Sequence, residues 1–173
     1  KEVTVPGDAN GMWSIAFNLN PSVKTPVDFY IDDISWSEMV LERKYLAVVE
    51  GRLPQKSGRI ESWLTENEKS LKMASSPVDN GGLRAVTHFK VLEEGKKFST
   101  VEFELETGRK NQIRVHAAYE LGHPIVGDRK YGSDLAFGGR IALHARTLVF
   151  QNPYGGRILR FESPVPDGFA RLK

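Results

Sequence analysis

The sequence predicts an α+β fold made mainly of extended segments, with few helices. Three observations carry that expectation. Apolar and polar residues alternate over several short runs, the mark of half-buried strands. Clusters of Gly, Pro, Asn and Asp separate these runs as turns. One segment, residues 111–121, spaces its apolar residues as a helix does.

The elements follow in order. Trp13, Ile15, Phe17 and Leu19 alternate with Ser14, Ala16 and Asn18, which predicts a strand. Asn20-Pro21 and Thr25-Pro26 break it, and residues 27–36 read as a second strand. Residues 37–43 read as a short polar link with helical character. Residues 44–50 are apolar on both sides and end at Gly51, which predicts a strand buried on both faces. Residues 54–59 are turn-rich, and 60–64 read as a short strand. Residues 65–82 read as a polar loop ending in Asp79-Asn80-Gly81-Gly82. Residues 85–92 are extended, and Glu93-Glu94-Gly95-Lys96 reads as a hairpin turn. Val101, Phe103 and Leu105 then alternate with Glu102, Glu104 and Glu106, the clearest one-sided strand. In the helix, Ile113, Ala117 and Leu121 share a face, Gly122 is the expected stop and Pro124 prevents continuation. Residues 141–150 and 157–161 read as a hairpin around Asn152-Pro153-Tyr154-Gly155-Gly156.

Composition bounds the function. The 173 residues contain no cysteine, which excludes disulfides, thiolate metal sites and a cysteine nucleophile. No run of 18 apolar residues exists, so no membrane helix is expected. His88, His116, His123 and His144 show no zinc-ligand spacing, so no metal is expected. The net charge of +2 hides an asymmetry. Residues 1–36 carry two basic and five acidic groups, a balance of −3, which leaves +5 for residues 37–173. Arg109-Lys110, Arg114, Arg129-Lys130, Arg140 and Arg146 cluster in this second part, as a solvated face or as an RNA-facing one.

Residues 106–116, Glu-Thr-Gly-Arg-Lys-Asn-Gln-Ile-Arg-Val-His, pack donor-rich side chains into a strand-to-helix junction, which suits phosphate. Residues 122–132, Gly-His-Pro-Ile-Val-Gly-Asp-Arg-Lys-Tyr-Gly, and Leu143-His144-Ala145 follow. These pieces resemble the C-terminal motifs of the RluA-type pseudouridine synthases. Residues 44–51, Lys-Tyr-Leu-Ala-Val-Val-Glu-Gly, look like the preceding motif, and residues 161–167 like the usual ending. The resemblance covers residues 40–173. It implies a mixed, largely antiparallel sheet with few helices, here an incomplete catalytic domain. It also implies isomerisation of uridine to pseudouridine in ribosomal or transfer RNA, without cofactor or metal. A monomer in the cytoplasm is the expectation that goes with it.

Residue by residue, the resemblance assigns roles. Tyr45 would stack on the uracil, and Arg114 would pair with the catalytic carboxylate and keep it ionised. Ile113 would line the base pocket. Arg109, Lys110, Arg129 and Lys130 would contact phosphates. The plainer alternatives are a core tyrosine, a surface arginine, a core isoleucine and solvated basic groups. His116 stands about 200° around a helix from Arg114 and is expected to bond structurally. The family often carries His where Asn111 stands; Asn keeps a donor and an acceptor.

The departure lies upstream. The family's His-Arg-Leu-Asp-x-x-Thr-Ser-Gly motif, about thirty residues before the tyrosine motif, is missing from this sequence. Asp32 and Asp8 precede Tyr45, but neither sits in that motif. Weak or no turnover is therefore expected. An aspartate within salt-bridge reach of Arg114 would speak for a complete site. Two other readings stand beside the enzyme: a non-catalytic RNA-binding remnant, and a carbohydrate-binding module in residues 1–36. Residues 13–18 and 29–36 resemble the last strands of β-sandwich carbohydrate-binding domains of secreted enzymes, with Trp36 as a sugar-stacking residue. The expected division is 1–39, a β-rich segment, and 40–173, the synthase-like domain.

Overall fold

The computed structural model describes residues 40–152 and 156–172. The N-terminal strands expected in 1–36, with Asp8, Asp32 and Trp36, lie outside the described residues. Seven strands form one sheet: β1 (Val40–Glu50), β2 (Ser57–Asn67), β3 (Lys72–Ser76), β4 (Leu83–Glu94), β5 (Phe98–Leu105), β6 (Leu143–Gln151) and β7 (Ile158–Glu162). Their spatial order is β3-β2-β4-β5-β1-β6-β7. Every pairing among these strands is antiparallel. One turn of α-helix, α1 (Gln112–Val115), runs into a π-helical turn over His116–Glu120. Short 3₁₀ turns cover Arg129–Tyr131 and Asp167–Arg171. No described helix is long and apolar enough to cross a membrane.

The apolar run in β1 has a physical reason. Ala47, Val48 and Val49 have no exposed surface; β5 flanks all three on one side, with β6 beside Ala47 and the Ile125-Val126 and Ala142 segments beside Val48 and Val49 on the other. In β5, Val101 and Phe103 are fully buried while Glu102 and Glu104 stay partly exposed. The expected hairpin between β4 and β5 forms, with the Gly95 N–H donating to the Phe98 carbonyl at 2.8 Å. Ile113 and Ala117 sit in the same core cluster as Val48 and Phe103, with Leu121 packed against it.

Three expectations need correction. Residues 40–43 are strand, not a helical link; the first residues of β1 pair with β6. The supposed loop over 65–82 contains β3, which the pattern hid because Met73 is its one apolar residue with a buried side chain. The helix is shorter than its apolar spacing implied. Asn111 adopts a left-handed backbone at φ 55°, so the helix starts after it. The Leu121 N–H then reaches back five residues to the His116 carbonyl at 3.0 Å, which widens the second turn. Gly122, at φ 72°, ends the segment as expected.

A buried chain of hydrogen bonds docks this segment on the sheet. The Arg109 N–H donates to Gln112 Oε1 at 2.9 Å, which identifies the amide's other end as the donor. Gln112 Nε2 donates to the Val86 carbonyl at 2.9 Å and to Thr87 Oγ1 at 2.8 Å. Thr87 can then give its proton to His116 Nδ1 at 2.8 Å. His116 carries its proton on Nε2 and donates it to Ser62 Oγ at 2.9 Å. Ser75 donates to the Glu120 carboxylate, which can only accept, so Ser62 donates to Ser75 at 2.8 Å. Each hydroxyl donates once and accepts once. His116 thus bonds structurally, as expected, and the network requires it neutral.

Burial pushes the His116 imidazole down to about 4. In the unfolded chain it titrates near its ordinary value of about 6.5. Between those values the unfolded chain binds the additional proton, so stability is full above the upper value and falls as pH drops towards the lower. The loss is on the order of 3 kcal/mol. Urea unfolding of the wild type and His116→Gln across this range tests it. The variant should be less stable at neutral pH, and the difference should shrink as pH falls; a constant difference would refute the assignment.

Candidate functional site

The docked segment projects Arg114 away from the sheet, because Gln112 and His116 on either side point into it. Two consecutive turns then bring an acid back. Gly127 adopts φ 87° and Gly132 φ 104°, both left-handed. A Cβ at Gly127 would stand 2.3 Å from the Arg140 carbonyl oxygen, so side chain and backbone both exclude other residues there. On either side of Gly132, the Tyr131 and Ser133 N–H groups donate to the Asp128 carbonyl at 3.0 and 3.1 Å. The turn aims the Asp128 carboxylate at Arg114.

The contact is a two-point clamp. Arg114 Nε donates to Asp128 Oδ2 and Nη2 to Oδ1, each at 2.7 Å. Nη1 donates to Asn111 Oδ1 at 3.0 Å. The Tyr131 ring lies under the guanidinium, 4.9 Å from its carbon to the ring centroid. Asn111 Nδ2 donates to the Tyr131 hydroxyl at 3.3 Å, and the Met73 N–H donates to the same hydroxyl at 3.2 Å. Asn111 therefore uses both ends of its amide. Hydrogen bonding to Asp128, opposed by burial, holds the guanidinium above its usual range.

An aspartate thus stands within reach of Arg114, yet it does not complete the site in the expected sense. The Asp128 side chain is 1% exposed, and Arg114 engages both its oxygens. It orients the arginine and offers no free oxygen to a ligand. Arg114, 22% exposed, keeps an edge in an open cleft of ≈ 390 Å³. Arg129, Lys130 and Arg140 line the same cleft, with Phe137 and Ile141 as apolar wall. Asp128 is the one acid lining it.

The other sequence-chosen residues lie elsewhere. Tyr45 is half-buried in β1, opposite Phe103, and does not line this cleft. Burial raises its phenol above the ordinary value, and the nearby Arg43 opposes that rise. Ile113 is 5% exposed and belongs to the core cluster. Lys110 pairs with Glu66, and Arg109 Nε donates to the Arg84 carbonyl at 3.0 Å. Lys130 Nζ donates to the Leu71 carbonyl at 2.6 Å. Among the described residues no cluster of His, Asp or Glu could hold a metal ion.

Sequence reasoning missed Asp128 as the partner of Arg114 and Asn111 as a bridge, and it named Arg140 only as one of a basic cluster. A usable signal existed for the first: Asp128 is the single acid between two glycines in Gly127-Asp128-Arg129-Lys130-Tyr131-Gly132. Breaking the clamp should cost stability, because it leaves a half-buried cation unpaired. Asp128→Asn is expected to lose about 2 kcal/mol. A denaturation midpoint unchanged from wild type would show that the clamp carries no stability.

The RNA pseudouridylate synthase family matches residues 34–119. An uncharacterized RNA pseudouridine synthase of Bacillus subtilis, YlyB, is 44% identical over 132 residues, 75% of this chain and 42% of that protein. The ribosomal large subunit pseudouridine synthase D of Neisseria meningitidis is 40% identical over 148 residues, 78% of this chain and 38% of the relative. The chain spans well under half the length of these curated relatives. Among solved structures, human RNA pseudouridylate synthase domain containing 1 superposes with a TM-score of 0.61 at 26% identity, covering 74% of this chain and 55% of that one. Motifs, antiparallel sheet and relatives agree, and the chain belongs to the RluA-type family of RNA pseudouridine synthases.

Proposed function

We propose that residues 40–173 are the RNA-holding part of a pseudouridine synthase that isomerises uridine in ribosomal or transfer RNA. The observation that carries the RNA reading is the cleft where Arg114, Arg129, Lys130 and Arg140 converge around one acid that Arg114 neutralises. The net field there is positive, which suits a phosphate backbone. Arg109 and Lys110 extend the basic surface at the strand-to-helix junction. Their exposure leaves them able to exchange present partners for phosphates.

The chemistry divides into two tasks. The uracil must leave the stack and be held while its bond to ribose C1′ moves from N1 to C5. Tyr45 supplies a flat ring for holding it. Bond cleavage then requires a carboxylate that can reach the nucleotide. Asp128 cannot serve, since both its oxygens face Arg114. In our reading the described residues bind and orient RNA, and the cleft itself supplies no free carboxylate to act as nucleophile. With RNA as its substrate, the protein acts in the cytoplasm as a monomer.

Incubation of the chain with uridine-containing ribosomal or transfer RNA tests both halves. RNA binding that weakens with salt is expected, together with no pseudouridine by a pseudouridine-specific chemical readout. Arg129→Gln with Lys130→Gln should flatten the salt dependence by about 0.7 log units for each phosphate no longer neutralised. Salt-independent binding would count against the cleft, and product formation would overturn the predicted inactivity.

A further inference from the structure

Arg43 lies on β1, beside Lys44. Lys44 pairs with Glu42 at 3.1 Å, Arg160 with Glu162 at 2.7 Å and Arg114 with Asp128 at 2.7 Å. Arg43 is half-buried, and no acid among the described residues pairs with it. Its hydrogen bond to the sheet is long: Nη2 donates to the Glu106 carbonyl at 3.4 Å. A guanidinium has five donors, and among the described residues this is the hydrogen bond it makes. Burial lowers its affinity for its proton, and the nearby Tyr45 opposes that fall.

The surroundings look built to hold it there. A Cβ at Gly108 would stand 2.5 Å from Arg43 Nη1, so the guanidinium lies against the bare backbone of that glycine. Gly108 belongs to the Thr107-Gly108-Arg109 turn that leads from β5 into α1. Arg43 and Tyr45 are two residues apart on β1, so they project from the same face of the sheet. The charge is close enough to act on the Tyr45 hydroxyl. A cation held beside a stacking ring, on the side of the basic Arg109-Lys110 turn, matches a nucleotide's combination of base and phosphate.

We propose that Arg43 is an anion-binding residue, seated on Gly108, that takes an RNA phosphate flanking the base stacked on Tyr45. This rests on the RNA reading above and adds a residue and a position to it. The guanidinium fork suits a phosphate's two oxygens, and the half-buried setting strengthens the attraction.

Binding of a short single-stranded oligouridylate to the full chain, measured across a salt series, tests the proposal. Arg43→Gln should bind several-fold more weakly and lower the log affinity–log salt slope by about 0.7. Arg43→Lys should keep the slope, since it keeps the charge. Gly108→Ala should weaken binding with all charges retained, because its methyl group displaces only the mobile end of Arg43. These two variants carry the test if Arg43→Gln does not fold. Wild-type slope in Arg43→Gln, or wild-type affinity in Gly108→Ala, overturns the proposal. If the wild type does not bind RNA, the RNA reading fails with it; if the wild type binds and the variants match it, the role of Arg43 alone fails.

Discussion

The arrangement depends on one directed chain of hydrogen bonds, from Gln112 through Thr87, His116, Ser62 and Ser75 to Glu120. Its ends are an amide donor and a carboxylate acceptor, so no link can reverse without leaving a buried group unpaired. That polarity docks the α-helical turn and the π-helical turn on β2, β3 and β4. Arg114, between two anchored residues, has no freedom to face inward. The Asp128 clamp and the Tyr131 ring then complete what the docking begins. The candidate site is thus a by-product of how a short, widened helix is tied to a sheet.

Much of this was legible in the sequence where the signal is local. The β5 alternation of Val101 and Phe103 against glutamates reports a face directly, and the fully apolar core of β1 reports a central strand. Gly122 announces its own left-handed backbone. The missed features are those set by partners far away in the chain. β3 forms because β2 supplies a ladder and Tyr131 a hydroxyl, and Lys72-Met73-Ala74-Ser75-Ser76 alone carries almost no pattern. Asn111 breaks the helix through a backbone conformation that its apolar neighbours cannot reveal.

The site was legible as motifs rather than as geometry. The family resemblance drew attention to Arg114, Arg129 and Lys130, and the structure brings these three to one cleft. It leaves Tyr45, Ile113, Arg109 and Lys110 outside that lining. Asp128 was hidden because it lies in a motif whose basic residues invite a phosphate reading. Its partner is fourteen residues away, and only the left-handed turns at Gly127 and Gly132 close that distance. Motifs name the participants; the pairing between them is a property of the turn.

The order of the strands carries a kinetic consequence. β1 precedes the other described strands in the chain yet sits fifth in the sheet, between β5 and β6. Tyr45 pairs with Phe103 on one side and with Ala145 on the other. The hairpins among β2, β3, β4 and β5 can close locally, whereas β1 waits for partners most of a domain away. During synthesis its apolar run has no partner strand until β5 has left the ribosome, and its other edge stays open until the segments up to β6 have followed. Non-local pairing of this kind slows folding and leaves strand edges open to wrong partners. The most buried strand of the finished protein is thus its longest-lived hazard while the chain is being made.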